Sequence, residues 1–344
     1  MERITIRIPS WMKREMERRK DVNWSEVIRR AIREKLQFPE AFQRLEELVR
    51  DYVVAKDEVS LRVLHLRATL LSRWMITRNI EVMYGRDSLK KAEEALNRLD
   101  ELGLLNRYYL SENISVSEAI ETALFDQGVI DLFTEKLVRS IKSGSRELQD
   151  AVWIISQYES NHIVEDGLLR TFELAFGEKA KVIIEELMRI GLLYRDLYDS
   201  RAYTYYYYRI PDYAMDTLRD VHERPFEYNI YDKGYENLKR RIRELLEDKV
   251  FRGFLEWLGG RIKYVEAFRE EEEARKFQQK YGVSFDEMVS QLVKDHVLII
   301  DYSPHRRRVG RRKSWPAEYI YKLTPDAQKA LMECLFERFL KTHQ

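Results

Sequence analysis

Cysteine is almost absent: Cys334 is alone among 344 residues, which excludes an intrachain disulfide framework and favours a cytoplasmic setting. No apolar run reaches the roughly 18 residues that suggest a membrane-spanning helix. Met1 leads directly into a strand-like pattern, so no signal peptide is expected. The phosphate loops GxxxxGK(S/T) and GxGxxG are missing, as are HExxH and CxxC. The six histidines, at 65, 162, 222, 296, 305 and 343, never fall within five residues of one another. They offer no local pair of metal ligands. No metal or cofactor is expected, and the chain reads as a binding protein rather than an enzyme. An excess of one charge is lacking too, with 60 Lys and Arg against 59 Asp and Glu. Charged residues nevertheless make up 35% of the chain, above the usual quarter. That composition fits a thermophile, archaeal-type surface laced with ion pairs.

What is present is concentrated at the start. Ile4, Ile6 and Ile8 alternate with Arg3, Thr5 and Arg7, so one face of a strand is apolar and the other can hydrogen-bond. Pro9 and Ser10 break the alternation. Trp11, Met12 and Met16 then space a short helix within a basic run. Asn23 opens a second helix with Glu26 at capping-box distance, and Val27, Ile28, Ala31, Ile32 and Leu36 form its inner side. Residues 1–36 carry 11 Lys and Arg against 6 Asp and Glu, a local excess that suits phosphate.

This strand, helix and Asn23–Ile32 pattern resembles the ribbon-helix-helix family of DNA-binding proteins. In that family two chains pair their strands into an antiparallel ribbon that lies in the major groove. The resemblance implies that Arg3, Thr5 and Arg7 face base edges, where an Arg grips guanine and a Thr meets a base or a thymine methyl. It also implies that Asn23, Trp24 and Ser25 offer backbone N–H groups to a phosphate. Physical reasoning agrees on dimerisation: so short a strand and two short helices cannot bury enough surface alone.

Beyond Pro39, residues 40–58 read as a connecting helix with Phe42, Leu45, Leu48, Val49 and Tyr52 on one side. It either pairs with its twin or packs on its own chain. A phrase then recurs. LDELGLL over 99–105 is echoed by LMRIGLL over 187–193 and more weakly by LVKDHVLI over 292–299. Each ends a helix and enters a strand, with Gly103 and Gly191 where a left-handed residue is wanted. A helix, a Gly stop and a hairpin resemble the end of a winged helix-turn-helix domain. The expected fold is mainly α with small β elements: a ribbon-helix-helix module (1–38), a connecting helix (39–58), and winged-helix-like domains at 59–143, 144–225 and 226–344. Helices are expected near 58–76, 77–84 and 87–102 in the first. In the second they fit 146–158, 164–174 and 178–190, with strands near 192–198 and 203–210. In the third they fit 235–258, 262–279, 284–294 and 325–341, with strands near 296–302 and 317–323.

A second contact surface is expected at residues 304–313, where Arg306, Arg307, Arg308, Arg311, Arg312 and Lys313 crowd together between two strand runs. Such a patch suits a phosphate backbone or a minor groove. Arg86, Lys90 and Lys91 are weaker candidates, because Glu93, Glu94 and Glu101 share their helix. The corresponding second helix carries Glu178, Lys179, Lys181, Glu185 and Glu186; two of those carboxylates repel phosphate, so a protein partner or a dimer mate is expected there rather than DNA. The tyrosines at 203 and 205–208 are expected to pack on their own sheet. The chain is thus expected to be a homodimeric, nucleoid-associated binder of double-stranded DNA with no membrane role, acting as a prokaryotic transcription regulator and repressor. A partition or architectural protein, or an antitoxin-like assembly factor docking through its winged-helix domains, are the alternatives.

Overall fold

The computed structural model describes residues 24, 40–69, 71–111, 114–158, 160–199, 204–230, 234–259, 278–303 and 318–342. The expected ribbon module, apart from Trp24, and the basic loop at 304–313 lie outside the described residues. So does nearly all of the helix expected over 262–279. Two compact units emerge: Met1–Leu70 with Glu94–Val129, and Leu71–Glu93 with Ile130–Gln344.

In the first unit, helix α1 (Glu40–Val54) turns through the left-handed Lys56 into α2 (Glu58–Ala68). Asp57 caps α2 by accepting from the Ser60 amide at 3.3 Å and its hydroxyl at 3.0 Å. Phe42, Leu45 and Val49 of α1 are fully buried, and α1 packs on α2 and α5 (Val116–Asp126). The connecting helix therefore spends its apolar side on its own chain. The single helix expected over 58–76 ends instead at Ala68, where the Thr69 hydroxyl turns back onto the Leu66 carbonyl at 2.7 Å. The Arg67 side chain is buried and donates to the Leu104 and Arg107 carbonyls at 3.1 and 2.7 Å. Strands β1 (Tyr109–Ser111) and β2 (Ile114–Ser115) form a two-stranded antiparallel ladder. Ser115 and Glu118 close a capping box on α5.

The second unit begins with α3 (Arg73–Tyr84), N-capped by Ser72, and the first turn of α4 (Leu89–Glu101). Then follow α6 (Val129–Ser143), α7 (Arg146–Ser156), β3 (His162–Val164), α8 (Glu165–Phe176) and α9 (Ala180–Arg189). Strands β4 (Tyr194–Asp199) and β5 (Thr204–Arg209) form an antiparallel hairpin, and β3 adds to β5, giving the order β3-β5-β4. Helix α10 (Asp212–Glu223) closes this segment and packs on α7. Next come α11 (Tyr235–Glu247), α12 (Lys249–Gly259), α13 (Phe285–Lys294), the hairpin β6 (Leu298–Ser303) with β7 (Glu318–Leu323), and α14 (Pro325–Thr342). The helix expected over 235–258 is broken at Asp248, which is extended (φ −77°, ψ 126°). Its carboxylate accepts from the Val250 and Phe251 amides at 2.7 and 3.2 Å, so it caps a new helix where periodicity alone predicts continuation.

The recurring phrase is a recurring helix stop. Gly103, Gly191 and His296 all have positive φ (69°, 81° and 58°). The following amides of Leu104, Leu192 and Val297 reach back to the Leu99, Leu187 and Leu292 carbonyls at 2.8, 3.0 and 2.9 Å. These are three copies of one Schellman closure. His296 holds a backbone that L-residues adopt reluctantly.

Candidate nucleic-acid interface

Arg3, Thr5, Arg7, Asn23 and Ser25 lie outside the described residues, as do Arg306, Arg307, Arg308, Arg311, Arg312 and Lys313. Trp24 is helical and half-buried. The described candidates are Arg86, Lys90 and Lys91, all exposed, near the start of α4. Arg86 is bound to Glu81 at 3.1 Å, and Arg78 meets the same carboxylate at 2.9 Å. Hydrogen bonds from both guanidinium groups hold the Glu81 carboxyl below its ordinary pKa. Arg73 is engaged by Glu93. Arg73, Arg78 and Arg86 are thus paired with carboxylates of the same surface, beside which Trp74 stands half-exposed.

The tyrosine strand serves its own sheet. On one side of the hairpin the buried Asp196 carboxylate accepts from the Tyr207 hydroxyl at 2.5 Å and from Arg209 at 3.3 Å. His162 stacks obliquely on Tyr207 at 5.2 Å, and Tyr198 lies on Tyr205 at 4.9 Å. Burial first, and then the bond to Asp196, push the Tyr207 hydroxyl pKa up. On the other side Tyr208 is buried, while Arg195 lies over the Tyr206 ring at 4.0 Å and grips Glu165 at 2.8 and 3.0 Å. Tyr194 bonds Tyr213, whose hydroxyl donates to the Gly191 carbonyl at 2.6 Å. These rings lock the strand pair to the helix stop before it.

Periodicity does not reveal two polar side chains that seal strand edges. β4 is an edge strand, so its outward amide and carbonyl need partners. Asn79 of α3 supplies both, accepting from the Arg195 amide at 2.9 Å and donating to its carbonyl at 2.8 Å. In the next hairpin the edge residue of β6 is Ile300. Its amide donates to the Thr171 hydroxyl of α8 at 3.0 Å, and its carbonyl accepts from Tyr158 at 3.2 Å. Asn79 and Thr171 are each the seventh residue of their helix, and Arg195 and Ile300 each lie four residues beyond a Schellman stop. Around both caps the packing repeats: α3 lies on α9 and β4, and α8 lies on α13 and β6. Gly167 lets α8 approach so closely that an added Cβ would lie 2.9 Å from the Asp301 carbonyl carbon.

This joint covers one side of α9 and of α13. Their exposed sides carry several carboxylates and ion pairs: Glu185 with Arg189 at 3.0 Å, Lys179 just before α9 with Glu147 at 2.9 Å, and Asp286 and Glu287 in the first turn of α13, although Lys181 and Val182 of α9 are also exposed. A shallow cleft of about 220 Å³ beside α11 is lined by Arg240, Arg241 and Lys294, but Arg241 is held by Asp295 and Glu244, each at 3.0 Å. Among the described residues no group of three or more His, Cys, Asp or Glu could hold a metal, and no helix is long and apolar enough to cross a membrane.

No curated protein and no solved structure matches the chain. Residues 4–61 match the family model of a ribbon-helix-helix-like protein, which extends past the expected module through α1 into α2, so the N-terminal segment is similar to that DNA-binding family.

Proposed function

We propose that the chain is a homodimeric, sequence-specific DNA-binding protein that regulates transcription in a prokaryotic cell. The observation that carries this reading is the ribbon-helix-helix match over 4–61, which covers a segment whose sequence alternates Ile4, Ile6 and Ile8 with Arg3, Thr5 and Arg7. Two copies would pair these segments edge to edge as a ribbon, turn the isoleucine face inward and present the Arg and Thr side chains to a major groove. Asn23, Trp24 and Ser25 would place backbone amides on a phosphate. Occupancy of an operator is then the simplest regulatory mechanism, and no catalytic step is required.

The bodies that follow are read as winged-helix-like. The order α7-β3-α8-α9-β4-β5, with β3 against β5, supports that reading for the middle one. Acidic faces and the covered sides of α9 and α13 argue that these helices space and dock rather than read bases. That observation favours a second reading, in which the array recruits a protein partner to the bound site.

The test is Arg3→Ala with Arg7→Ala in the full chain. Each bidentate contact removed should cost about 1–3 kcal/mol of discrimination between cognate and scrambled duplexes, while sedimentation still reports a dimer. An unchanged site preference would remove the ribbon from base reading.

A further inference from the structure

Helix α14 is apolar on two opposite sides. Ala327, Ala330, Leu331 and Cys334 are buried, and the helix packs on α11 and α12. On the far side Met332, Phe336, Phe339 and Leu340 are 54, 62, 56 and 45% exposed. Their spacing puts them on a single stripe. A surface helix ordinarily turns a polar face to water, and one that is apolar all round is covered.

The repeated architecture supplies an internal control. Superposing the buried positions of α10 (Ala214, Thr217, Leu218, Val221) on those of α14 (Ala327, Ala330, Leu331, Cys334) brings Arg219 and Glu223 to the places of Met332 and Phe336. Arg219 is solvated and paired with Asp216 at 3.2 Å. The same helix face is therefore charged in the middle body and apolar in the last.

The stripe itself selects the occupant. It contains no charge, and the neighbouring carboxylates are turned inward: Glu333 meets Lys239 at 2.6 Å, and Glu337 meets Lys239 and Arg243 at 3.0 and 3.1 Å. Arg338 donates to the Leu246 carbonyl at 3.2 Å. The nearest cation on that side, Lys329, lies over the Tyr235 ring at 4.5 Å, so the four residues themselves offer nucleic acid or an acidic peptide no charge. The exposed area of four large side chains is roughly 400 Å², against about 800 Å² per partner for an interface that stands alone. A face of that size suits chains already tethered, because tethering makes the second contact intramolecular.

We infer that the α14 stripe pairs with the α14 stripe of a second copy, antiparallel about a two-fold axis near Phe336. The contact is isologous, so each residue meets its symmetry mate or that mate's neighbour. It rests on the ribbon dimer proposed above, which brings the two copies together.

The experiment uses the full chain with Cys334→Ala and Phe336→Cys. The reduced protein is sedimented, then mildly oxidised at micromolar concentration and run without reductant. Expected is a dimer that becomes disulfide-linked, while Cys334→Ala with Glu223→Cys, the matching place on α10, stays unlinked. A reduced dimer that yields no disulfide overturns the α14 pairing and leaves the ribbon standing. A monomer in sedimentation overturns both. Equal linking of the Glu223→Cys control marks random collision and also overturns the pairing. Phe336→Glu in the otherwise unaltered chain should raise the dimer dissociation constant at least tenfold with unchanged circular dichroism. An unaltered constant counts against the pairing.

Discussion

Two histidines pull the pH dependence of stability in opposite directions. His65 is fully buried in α2, and burial first, then the Arg62 charge, lower its pKa to about 3. The unfolded chain binds a proton near pH 6.5 that the folded chain refuses, so stability is lost as pH falls from about 6.5 toward 3. His65→Gln should flatten that acid limb in urea titrations between pH 7 and 4; an equally steep limb would assign it elsewhere. His222 of α10 lies 2.8 Å from Asp326 at the start of α14. That hydrogen bond raises its pKa despite partial burial. Its contribution is complete below the unfolded pKa and vanishes as pH rises through the raised one. The difference in melting temperature between the parent and His222→Gln should therefore be largest near pH 6 and shrink above neutrality. Backbone strain acts at the same scale. Gly191→Ala should cost about 1 kcal/mol, whereas His296→Gly should recover a similar amount, because both positions are left-handed. Equilibrium unfolding of the two variants checks the pair, and a destabilised His296→Gly would mean that the imidazole contributes more than its backbone costs.

At the scale of elements, the strand-edge caps are the part of the structure that unites neighbouring bodies. Asn79→Ala would strand the outward amide and carbonyl of Arg195 in a half-buried place, at a cost of roughly 1–3 kcal/mol. Thr171→Val should strand the Ile300 amide while keeping the shape, the carbonyl retaining Tyr158. Amide hydrogen exchange at Arg195 and Ile300 should quicken in the respective variants, and unchanged protection would mean that the edges are sealed by something else. The helix stops were legible because glycine is the residue a left-handed turn selects, and the echo at His296 could be followed from the surrounding leucines and valines. The boundaries of α8, α9, α13 and the two long hairpins fall within about two residues of the pattern. The caps were not legible. Asn79 sits among Met75, Ile76, Ile80 and Met83, and Thr171 beside Leu168 and Phe172, where apolar periodicity counts a polar residue only as an interruption. β3 is three residues long, too short for alternation to register, and Asp248 ends a helix by a side-chain bond that no period encodes.

At the scale of the whole molecule, a net charge of +1 hides an uneven distribution, basic over residues 1–36 and again over 304–313. The described bodies between them pair many of their cations internally, as Arg78, Arg86, Arg195, Lys239 and Arg241 show. Affinity for duplex DNA should then come from the two basic segments, and salt can divide their shares. Each phosphate that a cation neutralises releases condensed counterions, so log K falls with log salt by roughly 0.9 per phosphate on duplex DNA. Replacing Arg306, Arg307, Arg308, Arg311, Arg312 and Lys313 by Gln should reduce that slope in proportion to the number of phosphates this loop neutralises, and weaken cognate and random duplexes alike. Arg3→Ala with Arg7→Ala should instead narrow the gap between cognate and random duplexes while changing the slope less. Fluorescence anisotropy titrations from about 50 to 200 mM salt separate the two effects. If the loop variant kept the parental slope, the ribbon would be the sole electrostatic contact. Every body beyond residue 61 would then face away from DNA and toward a protein or a second copy.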